Sequence, residues 1–446
     1  MSITYKEYNE KYRLPEQARD EYLLMKNKHH VLCYEPGKGK SYPVIHCIQV
    51  VNKMKGGKAR VLILSDATCI KEMWRAEIEP QGILPRNTYM VTDRMAIGSV
   101  KTAILANNWD IIVCDECQSL RSGVTRAKSQ YAKLVYQLTK RTEYVWGMTG
   151  TIAGNNNIEP FCVLHNLNVA GCGDMNCHRF KERYCIQELC YGPFGSFHKP
   201  TKLNSFGEEY MEKAYDSGCS FWDYDECDEM PPLDIEFIEL NVPATETYKN
   251  ALEGILKCGE NESTVLKAIA MQKAQQALNG FLYYDVEADR KTYQVPEFEN
   301  PKLKYVLDKA KRRRQLIIAY RFQEDGYYIN KVLNENGIKT TNSISEFKKL
   351  AEALQQVVLV LQCSRGKAAN LQMNQEIIYY TSDFSFIAYK QMIHRCWRRG
   401  QNKPCKVIFL CNDPGDKHKV EFKIWQALRN KQNIHDCLMS IKNKEA

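Results

Sequence analysis

The chain has 446 residues, of which 44% are hydrophobic and 26% are charged. This length exceeds one ordinary hydrophobic core, so we expect two domains with the composition of a soluble globular protein. The N-terminus has no apolar core and no run reaches the roughly 18 residues that cross a bilayer, so we expect no signal peptide and no membrane contact. The net charge of +9 is compatible with a polyanionic partner but does not establish one.

Cysteines are abundant, with 18 in the chain. Cys33, Cys114 and Cys411 lie in apolar runs, which suits reduced, buried thiols in a cytoplasmic protein. A second group, next to His178, comprises Cys172, Cys177, Cys185 and Cys190. Two pairs of thiolates can bind zinc, but these spacings are at the loose end of the usual range. Ordinary thiols are therefore the preferred interpretation, and zinc stays open.

The elements predicted along the chain alternate between helices and buried strands. Residues 1–28 and 42–54 have helical character, and the apolar runs that predict strands are 30–34, 60–65, 111–114, 144–148, 315–320, 357–361, 376–380 and 405–410. Residues 155–235 break this rhythm and end in an acidic run, so we interpret them as an insertion followed by a linker. Asn300 and Pro301 predict the start of a helix. The pattern predicts an α/β chain with two lobes, 1–235 and 236–446.

A glycine loop follows the first predicted strand. It consists of Glu35, Pro36, Gly37, Lys38, Gly39, Lys40 and Ser41. Its glycines let the backbone aim N–H groups at phosphate oxygens, and the following helix adds its positive N-terminal end. Lys40 is placed to neutralise the outer phosphates, and the Ser41 hydroxyl to bind Mg²⁺. Because Tyr34 stands where the full pattern has its first glycine, a solvated turn remains the alternative for this run alone.

Two carboxylates follow the apolar run 111–114. The strand end delivers Asp115 and Glu116 to the carboxyl edge of a parallel sheet. Asp115 suits the Mg²⁺ shell, and Glu116 suits the orientation of an attacking water. A solvated pair of acids is the alternative, which the glycine loop in the same lobe disfavours.

A basic run near the other end of the chain has two arginines three positions apart. Its matching residues are Gln391, Arg395, Arg398, Gly400 and Gln401. On a helix, positions i and i+3 share a face, so both guanidinium groups can reach one phosphate. Such cations suit the charge that spreads over a γ-phosphoryl group in transfer, whereas Arg399 fits a solvated helix face.

These runs resemble the motifs of superfamily 2 DEAD/DEAH-box helicases and translocases. Residues 115–118 match the Asp-Glu-x-His/Gln box, 148–151 resemble the Thr-Gly-Thr motif, and the basic run resembles the arginine-finger motif. The ending Arg-x-Gly-Gln and residues 180–185 and 300–303 are most like the Swi/Snf branch. Residues 14–17 resemble the segment whose glutamine reads adenine. The compact length is similar to the short versions in phages and mobile elements.

The resemblance implies two tandem RecA-like lobes with a cleft between them, short helical insertions, and ATP with Mg²⁺ as cofactors. It implies an ATP-dependent translocase on double-stranded DNA, in the cytoplasm (of a bacterial host if phage-encoded), with replication or recombination proteins as partners. The implied catalytic residues are Lys40, Glu116, Arg395 and Arg398. Ser41 and Asp115 would bind the metal. The implied nucleotide-binding residues are Gln17, Glu35, Pro36, Gly37, Lys38, Gly39, Lys40, Ser41, Asp115 and Gln118.

Some segments depart from the family pattern or carry weaker signals. Residues 364–371 keep one glycine of a motif that is usually glycine-rich, and Gln118 replaces the more usual histidine. Two candidate DNA-contacting segments are 311–314, which is basic, and 320–322, which follows a predicted strand. A solvated helix end is the alternative for the first, and ordinary aromatic packing is the alternative for the second.

Two other functions stay open. A strand-separating helicase on DNA or RNA would share the ATP site. A nucleotide-gated interaction subunit would bind ATP and hydrolyse it poorly. The intact set of Lys40, Glu116, Arg395 and Arg398 argues against the second, because a degraded site usually loses one of these residues.

Overall fold

The computed structural model describes residues 13–35, 37–125, 127–152, 156–192, 195–222, 230–258, 261–265, 267–286, 289–296, 298–363, 371–383, 385–398 and 401–430. The described residues divide into two compact units, 13–222 and 230–430. No described helix combines the length and the apolar character that a bilayer crossing needs.

The first unit is built on a six-stranded sheet in the order β3-β2-β4-β5-β1-β8, with all strands parallel. These strands are β1 His29–Tyr34, β2 Val61–Ser65, β3 Thr88–Thr92, β4 Ile111–Asp115, β5 Tyr144–Thr149 and β8 Cys219–Trp222. The helices are α1 Pro15–Asn27, α2 Ser41–Met54, α3 Ala67–Cys69, α4 Asp93–Ile97, α5 Lys101–Ala106, α6 Gln130–Thr139, α7 Glu159–Leu167, α8 Cys177–Tyr184 and α9 Ser205–Gly218. A π-helix, Ile70–Ile78, continues α3.

Strand β1 shows why this sheet needs helices on both faces. Its residues alternate between two cores, with Val31 and Cys33 in one and Leu32 and Tyr34 in the other. A strand that is buried on both faces has a continuous apolar sequence, and this is the pattern that predicted a strand at 30–34. Every strand predicted for this unit is present, as is the helix that follows the glycine loop.

Residues 156–222 are integrated into the first unit more closely than an insertion would be. Helix α7 is buried along its whole length, and its Phe161 stacks on Phe180 of α8 with ring centroids 3.5 Å apart. Strand β8 is the sixth strand of the sheet and pairs with β1. Within the described part of this segment, the antiparallel ribbon of β6 Cys185–Gly192 and β7 Gly195–Leu203 forms a separate sheet. The acidic run at 223–229 lies outside the described residues.

The second unit repeats the plan with a parallel sheet in the order β15-β16-β14-β17-β18-β9. Its strands are β9 Leu233–Asn241, β14 Gln315–Tyr320, β15 Thr340–Thr341, β16 Val357–Gln362, β17 Glu376–Tyr379 and β18 Cys405–Asp413. Its helices are α10 Glu246–Leu252, α11 Lys267–Leu278, α12 Pro301–Lys311, α13 Gln323–Glu335, α14 Ile344–Glu352, α15 Phe386–Cys396 and α16 at residues 420–430.

The additions to this unit are two ribbons, which pair β10 Ile255–Cys258 with β11 Asn261–Thr264, and β12 Phe281–Val286 with β13 Asp289–Gln294. Strand β9 begins at Leu233, so the second unit starts a few residues before the predicted boundary at 236. The Asn300 side chain accepts a hydrogen bond from the Lys302 N–H, 3.1 Å away, and caps α12 as predicted. The predicted class, α/β with two parallel sheets flanked by helices, is confirmed.

Candidate functional site

The glycine loop joins the carboxyl end of β1 to the start of α2, which is the strand–loop–helix context of a phosphate site. Gly37 and Gly39 have φ angles of 91° and 71°, in the left-handed region that favours glycine. The Lys38 N–H donates to the Glu35 carbonyl at 3.2 Å and closes the turn. Of the residues predicted for this loop, Pro36 lies outside the described residues.

Tyr34, at the position of the missing first glycine, is the last residue of β1 and is fully buried. Its hydroxyl donates to the Asp20 carboxylate, and its ring meets the edge of Trp222 at a centroid distance of 5.2 Å. The tyrosine therefore belongs to the strand and its packing, and the loop itself begins only after it.

Gln17, on α1, lies directly against the glycine loop. Its side-chain amide donates to the Lys38 carbonyl at 3.1 Å, and its carbonyl oxygen accepts from the Leu14 N–H at 3.1 Å. A Cβ at Gly39 would come within 3.1 Å of the same amide nitrogen. Gln17 thus supports the loop that the sequence placed beside it, and its reading of adenine stays a prediction.

Asp115 and Glu116 stand at the carboxyl end of β4. Trp74 donates its ring N–H to Asp115 Oδ2 at 3.1 Å, and the Glu116 N–H donates to Asp115 Oδ1 at 3.0 Å. Burial, and then the nearby Glu116 charge, raise the pKa of Asp115 to about 7, against the opposing pull of the Lys40 ammonium. The influence of Lys40 on this carboxyl group links the glycine loop to the acidic strand end.

The oxygen donors at this edge fit a magnesium ion. Ser41 supplies a hydroxyl, which donates to the Met73 sulfur at 3.6 Å, and Asp115 supplies a carboxylate. Hard oxygen ligands suit Mg²⁺, which usually takes one or two protein oxygens and completes its shell with phosphate and water. A buried carboxylate whose pKa is raised beside a second acid is stabilised by a cation, so the set fits the predicted ion.

A hydrogen-bonded relay runs from Glu116 to the neighbouring strand β5. The Gln118 amide donates to Glu116 Oε2 at 2.5 Å, and the Thr149 hydroxyl donates to Gln118 Oε1 at 2.7 Å. The Thr151 N–H donates back to the Thr149 hydroxyl at 2.9 Å. The structure therefore brings together two motifs that the sequence found 31 positions apart.

Glu116 also has an unusual backbone, with φ 52° and ψ 47°. This left-handed conformation costs a residue with a Cβ about 1–2 kcal/mol. Strain of this kind concentrates at functional sites, where the surrounding structure holds it in place. The backbone geometry therefore favours a functional role for Glu116 over the alternative of a solvated acid.

The basic run of the second unit is only partly helical. Helix α15 ends at Cys396, so Arg395 is in its last turn and Arg398 lies beyond it. The helix face that the sequence assigned to this pair is therefore absent, because Trp397 leaves the helix with φ −93° and ψ 94°. Arg395 has 7% of its surface exposed, Gln391 is half-buried on the same helix, and Gly400 lies outside the described residues.

Gln401 contacts the backbone at the end of α15 and at Gln372. Its amide donates to the carbonyls of Gln372 at 2.9 Å and Cys396 at 3.1 Å, and its oxygen accepts from the Lys403 N–H at 3.2 Å. It is 4% exposed. The glutamine of the arginine-finger pattern thus holds the backbone around Arg398 in this unit.

The two candidate DNA-contacting segments differ in surroundings. Arg321 donates to Gln275 Oε1 at 2.8 Å and lies 3.7 Å from an Asp383 oxygen, and Phe322 is buried. These contacts favour packing at 320–322. Residues 311–314 are exposed and line an open depression of about 550 Å³ with Leu354 and Gln356. Arg313 pairs with Glu376 at 2.7 Å, so this basic surface is partly neutralised.

The cysteines next to His178 do not gather around one point. Among the described residues, no group of three or more His, Cys, Asp or Glu side chains could hold a metal ion. Cys172 is buried and accepts from the Tyr210 hydroxyl at 3.7 Å, while Cys190 is partly exposed on β6. The cysteines in the described ranges are free thiols.

The sequence did not single out Trp74 and Trp222, which both contact predicted site residues. Trp74 is fully buried and bonds Asp115, and Trp222 lies beside Lys38. A tryptophan between two motifs has no spacing signature, so the contacts became visible only in the structure.

No family model matches this chain, and no curated protein matches it. Among solved structures, the chain is similar to the SWI2/SNF2 ATPase core of Sulfolobus solfataricus in complex with dsDNA. The similarity covers 96% of this chain and 93% of that chain, with a TM-score of 0.40 and 15% sequence identity.

Proposed function

We propose that this chain is a magnesium-dependent ATP hydrolase of the Swi/Snf-like type that couples hydrolysis to movement along double-stranded DNA. The observation that carries the proposal is the relay Glu116–Gln118–Thr149–Thr151 beside the glycine loop. A solvated acid pair needs no such support, whereas a residue that positions water must itself be held.

The first unit supplies the groups that phosphoryl transfer needs. The loop N–H groups and Lys40 bind the outer phosphates of ATP, and Ser41 and Asp115 would hold Mg²⁺, which supplies charge neutralisation there. Glu116 orients a water for in-line attack on the γ-phosphorus. As the new P–O bond forms, the bond to the bridging oxygen breaks, which releases ADP and phosphate. Gln118 fixes the carboxylate that does this work.

The second unit contributes cations by this proposal. Arg395 and Arg398 act as arginine fingers on the charge that develops at the γ-phosphoryl group. Because α15 ends at Cys396, Arg395 lies on the helix and Arg398 lies beyond it, so the two guanidinium groups are carried by different local structures. Support for the pair therefore comes from the motif and from the Gln401 hydrogen bonds to the carbonyls of Gln372 and Cys396, and no longer from a common helix face.

The DNA-coupled activity rests on the resemblance to the Swi/Snf branch and on the Thr149–Thr151 end of the relay. In that branch the Thr-Gly-Thr motif couples nucleotide to nucleic acid, and here its first threonine bonds Gln118 directly. A change in the backbone after β5 can thus alter the support of Glu116. We also propose that the protein acts in the cytoplasm and that its partners are replication or recombination proteins.

The test is ATP hydrolysis by the purified protein with double-stranded DNA, single-stranded DNA, RNA or no nucleic acid. We expect duplex DNA to stimulate phosphate release most, and a triplex-displacement assay to report movement along it. Strand separation on tailed duplexes would instead identify a helicase. A hydrolysis rate that stays the same with every nucleic acid would contradict the coupling to DNA. If the protein hydrolyses no ATP, its assignment as an ATP hydrolase is contradicted.

A further inference from the structure

The two lysines of the glycine loop have different surroundings. Lys40 is partly exposed, whereas Lys38 has only 2% of its surface exposed. The Lys38 ammonium lies over the Trp222 ring, 4.5 Å from its centroid. A desolvated ammonium on an indole face is a favourable cation–π pair. The loop therefore has one lysine suited to phosphate and one that fixes the loop to the protein.

Trp222 contacts the same loop through its backbone. It is the last residue of β8, in register with Tyr34, and its carbonyl accepts from the Glu35 N–H at 2.9 Å. The indole ring is braced by Tyr34, whose ring meets it edge-on at 84°. One residue thus holds the start of the loop by a hydrogen bond and its middle by a ring contact.

Lys38 is the effective place to hold this loop. It lies between Gly37 and Gly39, which have the greatest backbone freedom and adopt left-handed conformations here. Fixing the one side chain between them restrains both glycines. The Gln17 amide bonds the Lys38 carbonyl, so Lys38 is held at its backbone by α1 and at its side chain by β8.

We propose that Trp222 is a positioning residue that holds the glycine loop in its phosphate-binding shape before a nucleotide arrives. A loop that is already ordered loses less conformational entropy when it binds, so the contact strengthens ATP binding. The effect on ATP rests on the proposed function, whereas the order of the empty loop does not. Trp222 acts through Lys38 and touches no reacting atom.

The first test is hydrogen exchange at the amides of residues 37–41 in the nucleotide-free protein. We expect Trp222→Leu and Lys38→Met each to speed exchange there by about 5- to 30-fold, in keeping with one desolvated cation–π pair. Trp222→Phe keeps a ring face and should rescue most of the protection. Unchanged exchange at these amides in Trp222→Leu would overturn the proposal.

The matched control is Trp109→Leu, which removes another buried tryptophan of the first unit. Trp109 packs against Tyr89 of β3, at the sheet edge opposite β8. Its loss should lower thermal stability and leave exchange at 37–41 unchanged. Faster exchange in this control as well would assign the effect to general destabilisation and would also overturn the proposal.

The second test is the affinity for a fluorescent ATP analogue. Trp222→Leu and Lys38→Met should each raise Kd by up to about 5- to 30-fold, and the double variant should bind no more weakly than the weaker single variant. For Trp222→Leu, which changes no residue of the glycine loop, KM should rise while kcat at saturating ATP stays unchanged. If the increase in Kd of the double variant equals the product of the two single increases, the two side chains act independently, which would contradict a direct Lys38–Trp222 contact. If the wild-type protein binds no ATP, the proposed function fails, and the exchange experiment still decides the role of Trp222.

Discussion

The two units contain the same kind of parallel sheet, but different kinds of residue lie at its carboxyl edge. In the first unit the edge carries a glycine loop with left-handed glycines, a partly exposed Lys40 and a strained Glu116. In the second unit the corresponding edge is filled by buried polar side chains. The fold alone therefore does not make a nucleotide site, and what stands at the strand ends decides the function.

The second edge is filled by a network centred on Lys302 of α12, which is fully buried. Its ammonium donates to both Glu421 oxygens at 2.8 Å and to Asn279 Oδ1 at 3.1 Å. The Asn279 amide donates to the Thr381 hydroxyl at 2.9 Å and to Asp325 Oδ1 at 3.2 Å. Among the described residues, the charges of this network are paired with one another, which indicates a structural role for the network.

The largest effect that distinguishes the two edges is expected at Glu116. Glu116→Gln should retain ATP binding and lower kcat about a thousandfold, because the amide cannot polarise the attacking water. Phosphate-release kinetics and a fluorescent-nucleotide titration measure the two quantities. The matched control Glu143→Gln changes an exposed acid that pairs with Lys28 and should turn over normally. Normal turnover by Glu116→Gln would refute its role.

The next largest effect is expected on the stability of the second unit. Lys302→Met should lower the free energy of unfolding of the second unit by about 3 kcal/mol, because it leaves the Glu421 carboxylate buried without its cation. Urea unfolding measures this loss, and Glu421→Gln in the same chain should recover part of it. The exposed pair Lys213–Glu209 is the control, and Lys213→Met should leave the unfolding midpoint in place.

A smaller effect should separate the units by pH. Burial lowers the pKa of His30 in the first unit to about 4, from an ordinary value near 6.5. The unfolded chain binds the extra proton below pH 6.5, so stability is lost as pH falls, by about 2 kcal/mol at pH 5. His30→Gln, whose amide can still donate to Ser220, should flatten this dependence.

Asp325 of the second unit should respond to pH in the opposite sense to His30. Burial raises the pKa of Asp325 to about 7, so its contribution is full in acid and is lost as pH rises through 7. Asp115 of the first unit also has a raised pKa, so each group is isolated by its own variant. Hydrogen exchange at pH 5 and 7.5, corrected for intrinsic rates, compares wild type with His30→Gln in peptides of β1 and with Asp325→Asn in peptides of β14. A variant with the same pH dependence as the wild type would contradict the assignment of that group.

The smallest effect should follow from cutting the relay. Thr149→Val keeps the shape of the side chain and removes its hydrogen bond to Gln118. We expect ATP affinity to be unchanged and DNA-stimulated turnover to fall about fivefold, the value of one ordinary hydrogen bond. Turnover measured at several duplex concentrations checks this. Equal stimulation in the variant would leave the relay without a role in coupling.

Local signals predicted much of this molecule. Buried strands were predicted from their continuous apolar runs. Asn300 and Pro301 predicted the start of a helix, which the structure contains. The glycine loop and the Asp115–Glu116 pair were singled out because nucleotide chemistry favours these residue types at these spacings, and their roles stay predictions. The end of α15 before Arg398 was missed, since the run 391–398 has no glycine or proline to signal it.

Contacts between distant segments could not be predicted in the same way. Trp222 reaches Lys38 because β8 pairs with β1, and Trp74 reaches Asp115 because the π-helix packs near the end of β4. No sequence spacing encodes either contact. The integration of 156–222 was missed because β8 is only four residues long and lies in a stretch rich in polar and aromatic residues. Tertiary packing, and not local propensity, makes that segment a strand.

The most direct test of the central claim is phosphate release from MgATP by the wild-type protein and Lys40→Ala, each with and without duplex DNA. The account predicts that duplex DNA speeds release by the wild type several-fold and that Lys40→Ala releases almost none under either condition. Equal release by the two proteins would show that the glycine loop is not where ATP is hydrolysed.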